Sequence, residues 1–327
     1  MLEVEFKVLK SLNDDNSLNQ RNLAKEVDVS LGKVNSILKS FTKLGYINRE
    51  NEDNSIKYVV TEMGLNELNL KLNQDKNTRL NIHQEYDYKL TQAVILAAGK
   101  REDFDKPVGM LEIEDFILID RTVKILRDNK INKIIIIGGY KSDILEEHFK
   151  DEKDIVIVNN KDYIWTGTMY SLACAEGVIE DDFLLLESDL VFEHTAVTKL
   201  CNYSERDCIL LTKESGSEDE AFVEIRDECL FKISKDIHQL NSIDGEIVGI
   251  TKISFKLYKM MLDEFSCNKN PYINYEYTLL DVARNYNIGY IRIDDLVWGE
   301  IDSKNQYNQI KKSIFPKIRR KYILENK

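Results

Sequence analysis

The chain has 327 residues, 43% of them hydrophobic and 31% charged, with a formal net charge of −12. That length is enough for two domains, and that charge speaks against broad affinity for nucleic acid or anionic membrane, which reward clustered Lys and Arg. No apolar run nears the roughly 20 residues that cross a bilayer and the charged start lacks a signal-peptide core, so a cytoplasmic protein is expected.

Residues 4–12 and 18–26 show helical apolar spacing, broken by the turn "NDDNS". Ser30 is a helix cap candidate, followed by apolar residues at Leu31, Val34, Ile37, Leu38, Phe41 and Leu44, an amphipathic helix of about four turns. "INRENEDNSIKYVV" then alternates like a hairpin, and Thr61 opens another helix. This order is that of a winged helix-turn-helix, and "LAKEVDVSLGKVNSILKSFTKLGYI" resembles the turn and recognition helix of MarR-type regulators. The resemblance implies a DNA face at Lys33, Asn35, Lys39 and Lys43; the alternative is a module repurposed for dimerisation or docking. Residues 1–74 hold ten Lys and Arg against eleven Asp and Glu, so the module has no positive excess and the rest of the chain carries the other −11. A homodimer would suit such a module. The boundary is expected in the polar stretch 72–90, readable as a connecting helix, giving a winged helix over 1–74, a linker over 75–90 and a second domain over 91–327.

From residue 92 the pattern changes to short apolar runs separated by helices. "QAVILAAG", "KIIIIGGY", and stretches at 154–158, 182–187, 207–212, 220–225, 247–251 and 289–293 read as strands, with a helix from Phe116 to Asn129. The expectation is a Rossmann-like α/β fold with a mixed, mainly parallel sheet, helices on both faces, and ligand sites beyond the strands' carboxyl ends. The five cysteines never approach CxxC spacing and read as buried, reduced thiols.

"AVILAAG", a "KP" about a dozen residues later, "IIIIGGY", "TGTMYSL", "LLLESDLVFE" and "WGEID" follow the order seen in nucleotidyltransferases of the MobA and sugar-phosphate type. Among these the chain most resembles the cytidylyltransferases that activate phosphocholine or 2-aminoethylphosphonate. The resemblance implies a nucleotidyl transfer with release of pyrophosphate, Mg²⁺ as cofactor, CTP or another NTP as donor, and a small phosphorylated amino-alcohol or aminophosphonate as acceptor. A sugar-phosphate nucleotidyltransferase stays open, as does a regulator whose inactive transferase domain senses a nucleotide.

The apolar strand delivers Leu96, Ala97, Ala98 and Gly99 into a turn whose small side chains would let backbone N–H groups approach base and phosphates, with Lys100, Arg101 and Lys106 as the cations available to the triphosphate. Asp189 ends a buried strand, where a carboxylate is costly unless it meets a metal or a cation. The resemblance maps the metal onto Asp189 and Asp302. Gly139, Tyr140, Asn160, Thr166, Thr168 and Ser171 are the candidates for base recognition. For the acceptor, Tyr163, Trp165, Tyr170 and Trp298 could face an ammonium, and Glu187, Glu220, Asp236, Glu246 and Glu300 could supply counter-charge. One departure stands out. The family's loop carries a second glycine and a lysine just after the proline; here Lys100 stands near the second-glycine region and Val108 follows Pro107, leaving Lys106, Lys100 or Arg101 to meet the triphosphate.

Overall fold

In the computed structural model the chain divides into two units, Met1–Ile82 and His83–Lys327, and residues 3–14, 18–27, 29–52, 55–65, 67–68, 90–216 and 220–325 are described. The expected linker over 75–90 and connecting helix over 72–90 lie outside the described residues except for Leu90, which is buried in the larger unit's core.

The small unit follows its caps. Helices α1 (Glu3–Asp14), α2 (Gln20–Glu26) and α3 (Leu31–Leu44) precede an antiparallel hairpin of β1 (Ile47–Glu52) and β2 (Ser55–Val60), in register from Ile47 opposite Val60. Ser30 Oγ accepts the Lys33 N–H at 3.2 Å and starts α3, while Gly45 at φ +75° ends it, a left-handed conformation that favours glycine. Thr61 Oγ1 accepts the Gly64 N–H at 3.1 Å and heads the helical residues 62–65. The apolar stripe of α3 (Val34, Ile37, Leu38, Phe41) packs with Val8, Leu12, Leu23 and Tyr58 in one small core.

In the larger unit a nine-stranded sheet is parallel through its centre. Strands β3 (Gln92–Ala97), β4 (Lys133–Gly138), β5 (Ile155–Asn159) and β6 (Phe183–Glu187) run parallel in the order β5-β4-β3-β6. The next strands in the chain are β7 (Leu190–Phe192), β8 (Cys208–Thr212), β9 (Phe222–Arg226), β10 (Cys229–Ser234) and β11 (Gly245–Ile253). Strand β11 pairs antiparallel with β6, β8 and β9, and β8 also pairs parallel with β12 (Gly289–Arg292). Each expected strand is found to within two residues at each end; β7, only three residues long, and β10, whose apolar residues are interrupted by Lys232, were not foreseen.

Both faces of the sheet are covered, which is why β3 and β4 read as unbroken apolar runs. Ala93, Ile95, Ile134 and Ile136 face one core, with Ile119, Val123 and Leu126 of α4 (Leu118–Asp128). Val94, Leu96, Ile135 and Ile137 face the other, with α5 (Thr168–Ala173), α6 (Phe255–Cys267) and α7 (Tyr275–Ala283). The helix expected from Phe116 starts two residues late, because Phe116 and Ile117 pair instead with Glu112 and Ile113. The expectation that all five thiols are buried is corrected. Cys208 is buried within β8, Cys174, Cys201 and Cys229 are half-buried, and Cys267 is exposed at the last position of α6, where no partner element covers it.

Candidate active site

Parallel strands end on one side of a sheet, so the loops after β3, β4, β5 and β6 converge there. The Tyr140 N–H donates to Ala98 O at 3.0 Å, the Asn160 N–H to Gly138 O at 2.8 Å, and the Ser188 N–H to Leu96 O at 3.0 Å, tying the four strand ends together. Nothing lies within 4 Å of where a Cβ on Gly99 would stand, so the loop is open at that point. Gly139 is the opposite case: a Cβ there would meet Ala98 O at 2.7 Å and Tyr163 Cβ at 2.8 Å, so Gly139 is a packing glycine under the loop.

The acids come together through a second, short sheet. Strand β7 pairs with β13 (Trp298–Glu300), setting Leu190 opposite Glu300, and the Ile301 N–H donates to Asp189 O at 3.1 Å. In this way residues more than 100 positions apart in the chain become neighbours. Arg101 Nη2 lies 3.0 Å from Asp189 Oδ2, 2.6 Å from Asp302 Oδ1 and 3.8 Å from Glu300 Oε1. Carboxylate oxygens of Glu187, Asp189 and Glu300 also fall within 4.8 Å of one another.

This donor set fits a divalent cation. It is all oxygen, as Mg²⁺ prefers. Asp189 is only 8% exposed, and its Oδ1 is buried without a hydrogen-bond partner among the described residues. Burial pushes the Asp189 carboxyl up, the Arg101 charge pulls it down, and Asp302 pushes it up again. Glu187 is held well above the usual carboxylate range by burial first and by Glu276, Asp189 and Glu300 next. Burial weakens the Arg101 charge, but Asp189, Asp302 and Glu300 outweigh it and keep the guanidinium protonated.

A cavity of about 750 Å³ opens beside this cluster, with Arg101, Thr168, Glu187, Glu246, Trp298, Glu300 and Asp302 among its lining residues. Of the expected acceptor residues, Tyr163, Trp165, Tyr170, Glu220 and Asp236 are not in that lining. Trp165 is 65% exposed, the Tyr170 hydroxyl donates to Asp162 Oδ2 at 3.1 Å, and Asp236 caps a short 3₁₀ turn through the His238 N–H at 3.0 Å. Glu246 accepts from Ser215 N at 2.6 Å and Ser215 Oγ at 3.0 Å, which fixes its carboxylate.

The polar loop after β5 satisfies itself. Asn160 Nδ2 donates to Thr166 Oγ1 at 3.1 Å and Ser171 Oγ at 3.0 Å, and Thr168 Oγ1 accepts the Tyr275 N–H at 2.9 Å. These side chains hold the loop against α7 in this structure. Lys213, Lys235, Glu276 and Lys317 also line the cavity, and sequence reading missed them. Lys235 directly follows β10, and Glu276 sits in "NYEYTLL" with no motif around it.

The displaced lysine has a structural reason. Val108 is buried with Leu111, Val191, Ile301 and Phe315, so a charged side chain there would be costly. Lys106 is half-buried in the preceding loop, and Lys100 pairs with Glu102 at 3.1 Å. Lys141, also missed, donates to Asp105 O beside them. Because Lys100 already has an anionic partner and Lys106 is the more buried of the two, Lys106→Ala should lower turnover about 10²-fold and Lys100→Ala less than tenfold, read as initial rates at saturating nucleotide. Equal losses would remove the distinction.

The family profile for MobA-like NTP transferase domains matches residues 93–246, and that for winged helix-turn-helix DNA-binding domains matches residues 1–48. The chain joins a winged helix-turn-helix to a MobA-like NTP transferase domain. A CTP:phosphoglutamine cytidylyltransferase of Campylobacter jejuni is 25% identical over 242 residues, 64% of this chain and 95% of that protein. A UTP–glucose-1-phosphate uridylyltransferase of Haloferax volcanii is 32% identical over 107 residues, 31% of this chain and 44% of its own length. The inositol-1-phosphate CTP transferase structure from T. maritima superposes with a TM-score of 0.61 at 20% identity, covering 72% of this chain and 98% of that one. The Streptococcus pneumoniae CTP:phosphocholine cytidylyltransferase gives 0.54 at 18%, covering 69% and 99%. Identities this low carry the fold alone. By its family match the larger unit is a nucleotidyltransferase of the sugar-phosphate and cytidylyltransferase type. Among the described residues no helix is long and apolar enough to cross a membrane.

Proposed function

We propose that the transferase domain moves CMP from CTP to the phosphate or phosphonate of a small amine-bearing acceptor and releases pyrophosphate. The observation that carries this reading is one cavity lined by Arg101, Glu300 and Asp302 and also by the acidic and aromatic side chains of Glu187, Glu246, Glu276 and Trp298. The first group suits a metal-bound triphosphate, and the second suits a cationic head group. The C. jejuni relative is named for CTP and for an acceptor that bears both a phosphoryl group and an amine, which supports the same choice.

In this reading an acceptor oxygen bonds to the α-phosphorus in line as the bond to the bridging oxygen of the β-phosphate breaks, and pyrophosphate leaves with that oxygen. Asp189 and Asp302 would hold Mg²⁺, which, when bound, supplies neutralisation of the phosphate oxygens. Arg101 and Lys106 would oppose the charge that grows on the equatorial oxygens. Glu187 and Trp298 would orient the acceptor. Pyrophosphate release with each NTP against phosphocholine, 2-aminoethylphosphonate and sugar 1-phosphates tests this. Turnover with CTP and an amine-bearing acceptor is expected; turnover only with a sugar phosphate would replace the acceptor assignment, and none with Mg²⁺ would end the enzyme reading.

A second reading is favoured by one observation on the small unit. Gln20, Asn35, Lys39, Lys43 and Arg49 line a concavity of about 400 Å³ between α3 and the hairpin. Three cations on one recognition face suit DNA phosphates even in a module with no positive excess. The protein should shift a fragment of its own upstream region, and Lys39→Ala and Lys43→Ala should each lower the log–log salt slope by about one. Absence of binding at low salt would leave the winged helix a role in assembly.

A further inference from the structure

Three carboxylates converge on one guanidinium nitrogen: Arg101 Nη2 stands 2.6 Å from Asp302, 3.0 Å from Asp189 and 3.8 Å from Glu300. A cation bound to the same oxygens at about 2.1 Å would overlap that nitrogen. Arg101 and a metal ion therefore cannot share these oxygens. The side chain is long, it belongs to a loop without regular secondary structure, and the loop is open at Gly99 next to it.

From this we infer that Arg101 is a displaceable counter-ion for the metal-site acids, so that a divalent cation enters tightly only in company with a triphosphate. The inference rests on the transferase reading above, which supplies the metal and the triphosphate. Its physical basis is an exchange of partners. When a metal ion arrives alone, Arg101 must leave two close ion pairs, and that loss is subtracted from the metal's binding free energy. When the ion arrives with a triphosphate, the released guanidinium finds phosphate oxygens within reach, a bidentate match that guanidinium makes well. Metal and nucleotide thereby strengthen each other's binding, and by linkage the factor is the same in both directions. Arg101 acts here as a positioning residue for the metal, in addition to any contact it makes with the phosphates during transfer.

The test is Mn²⁺ binding to the full-length protein, followed by the EPR signal of the free ion, with no nucleotide present. Removing Arg101 leaves the acids without their counter-ion, so Arg101→Gln should bind Mn²⁺ alone about tenfold or more tightly than the unaltered protein. Arg101→Lys, which keeps the charge but cannot bridge three acids, should fall between the two. A non-hydrolysable CTP analogue should raise Mn²⁺ affinity more in the unaltered protein than in Arg101→Gln, narrowing the gap. If Arg101→Gln binds Mn²⁺ alone no more tightly while Arg101→Lys also matches the unaltered protein, the counter-ion role is overturned. An arginine that merely supported the fold would weaken metal binding on removal. Because this measurement uses the ion without acceptor or turnover, a failure to find the right acceptor leaves its outcome readable.

Discussion

Asp189→Ala and Asp302→Ala should each lower pyrophosphate release by at least about 10³-fold, while the thermal unfolding midpoint should stay within a few degrees of the unaltered protein. The rate loss follows from the charge that must be neutralised on a triphosphate, where one metal ion supplies several kcal/mol in the transition state. The small effect on stability follows from the site itself. Asp189 is buried with Oδ1 unpartnered among the described residues, so its removal takes away an unfavourable desolvated charge together with one ion pair to Arg101. The double variant should be little worse than either single one, since both acids would serve the same ion. A continuous pyrophosphate assay with thermal melts in parallel measures all three. Near-normal rates in either single variant would remove the metal assignment, and Glu187 with Glu300 would become the pair to test.

Gly167→Ala is expected to damage both stability and rate, for a purely steric reason. Gly167 has an extended backbone that any residue can adopt, but a Cβ there would stand 2.3 Å from Ile273 O and 2.4 Å from Tyr272 O. The Gly167 N–H also donates to Pro271 O at 2.8 Å, so the two backbones are bound as well as close. The chain must part by roughly an ångström, at a cost of about 1–3 kcal/mol, and the melting point of a unit this size drops by several degrees. Thr168 lines the cavity and begins the helix beyond, so the displacement reaches the acceptor wall. A misplacement of that size lowers turnover by about 10²-fold. Thermal melts and steady-state kinetics report the two effects separately. A variant with unaltered melting and unaltered rate would mean that this segment is not packed as described.

The two expectations differ in how far the sequence alone could have led to them. Asp189 is announced by its place two residues past the apolar run 183–186 and Glu187, because a carboxylate at the end of a buried strand needs a partner. Ser30, Thr61 and the runs at β3, β4 and β6 are legible in the same way, since caps and strand periodicity depend on neighbours a few residues away. The winged-helix order and the sequence of transferase motifs follow from such local signals taken together. The close approach of Gly167 to residues 272–273 leaves no trace at either position.

The candidate site shows the same division. Sequence alone determined that the chain joins a small helical module to a doubly covered α/β sheet, and that acids at 189, 300 and 302 and cations at 100, 101 and 106 are available for nucleotide chemistry. Tertiary structure alone decided which of these meet. It placed Arg101 among the three acids, turned Val108 into the core, tied Asn160, Thr166 and Ser171 to one another, and brought Glu276 and Lys235 to the cavity wall while Trp165 and Asp236 face elsewhere. The reason is physical. Periodicity and caps are short-range and are written in consecutive residues, whereas the pairing of β7 with β13 and the docking of the loop after β5 onto α7 join segments more than 100 residues apart, through packing and backbone hydrogen bonds that no local pattern records.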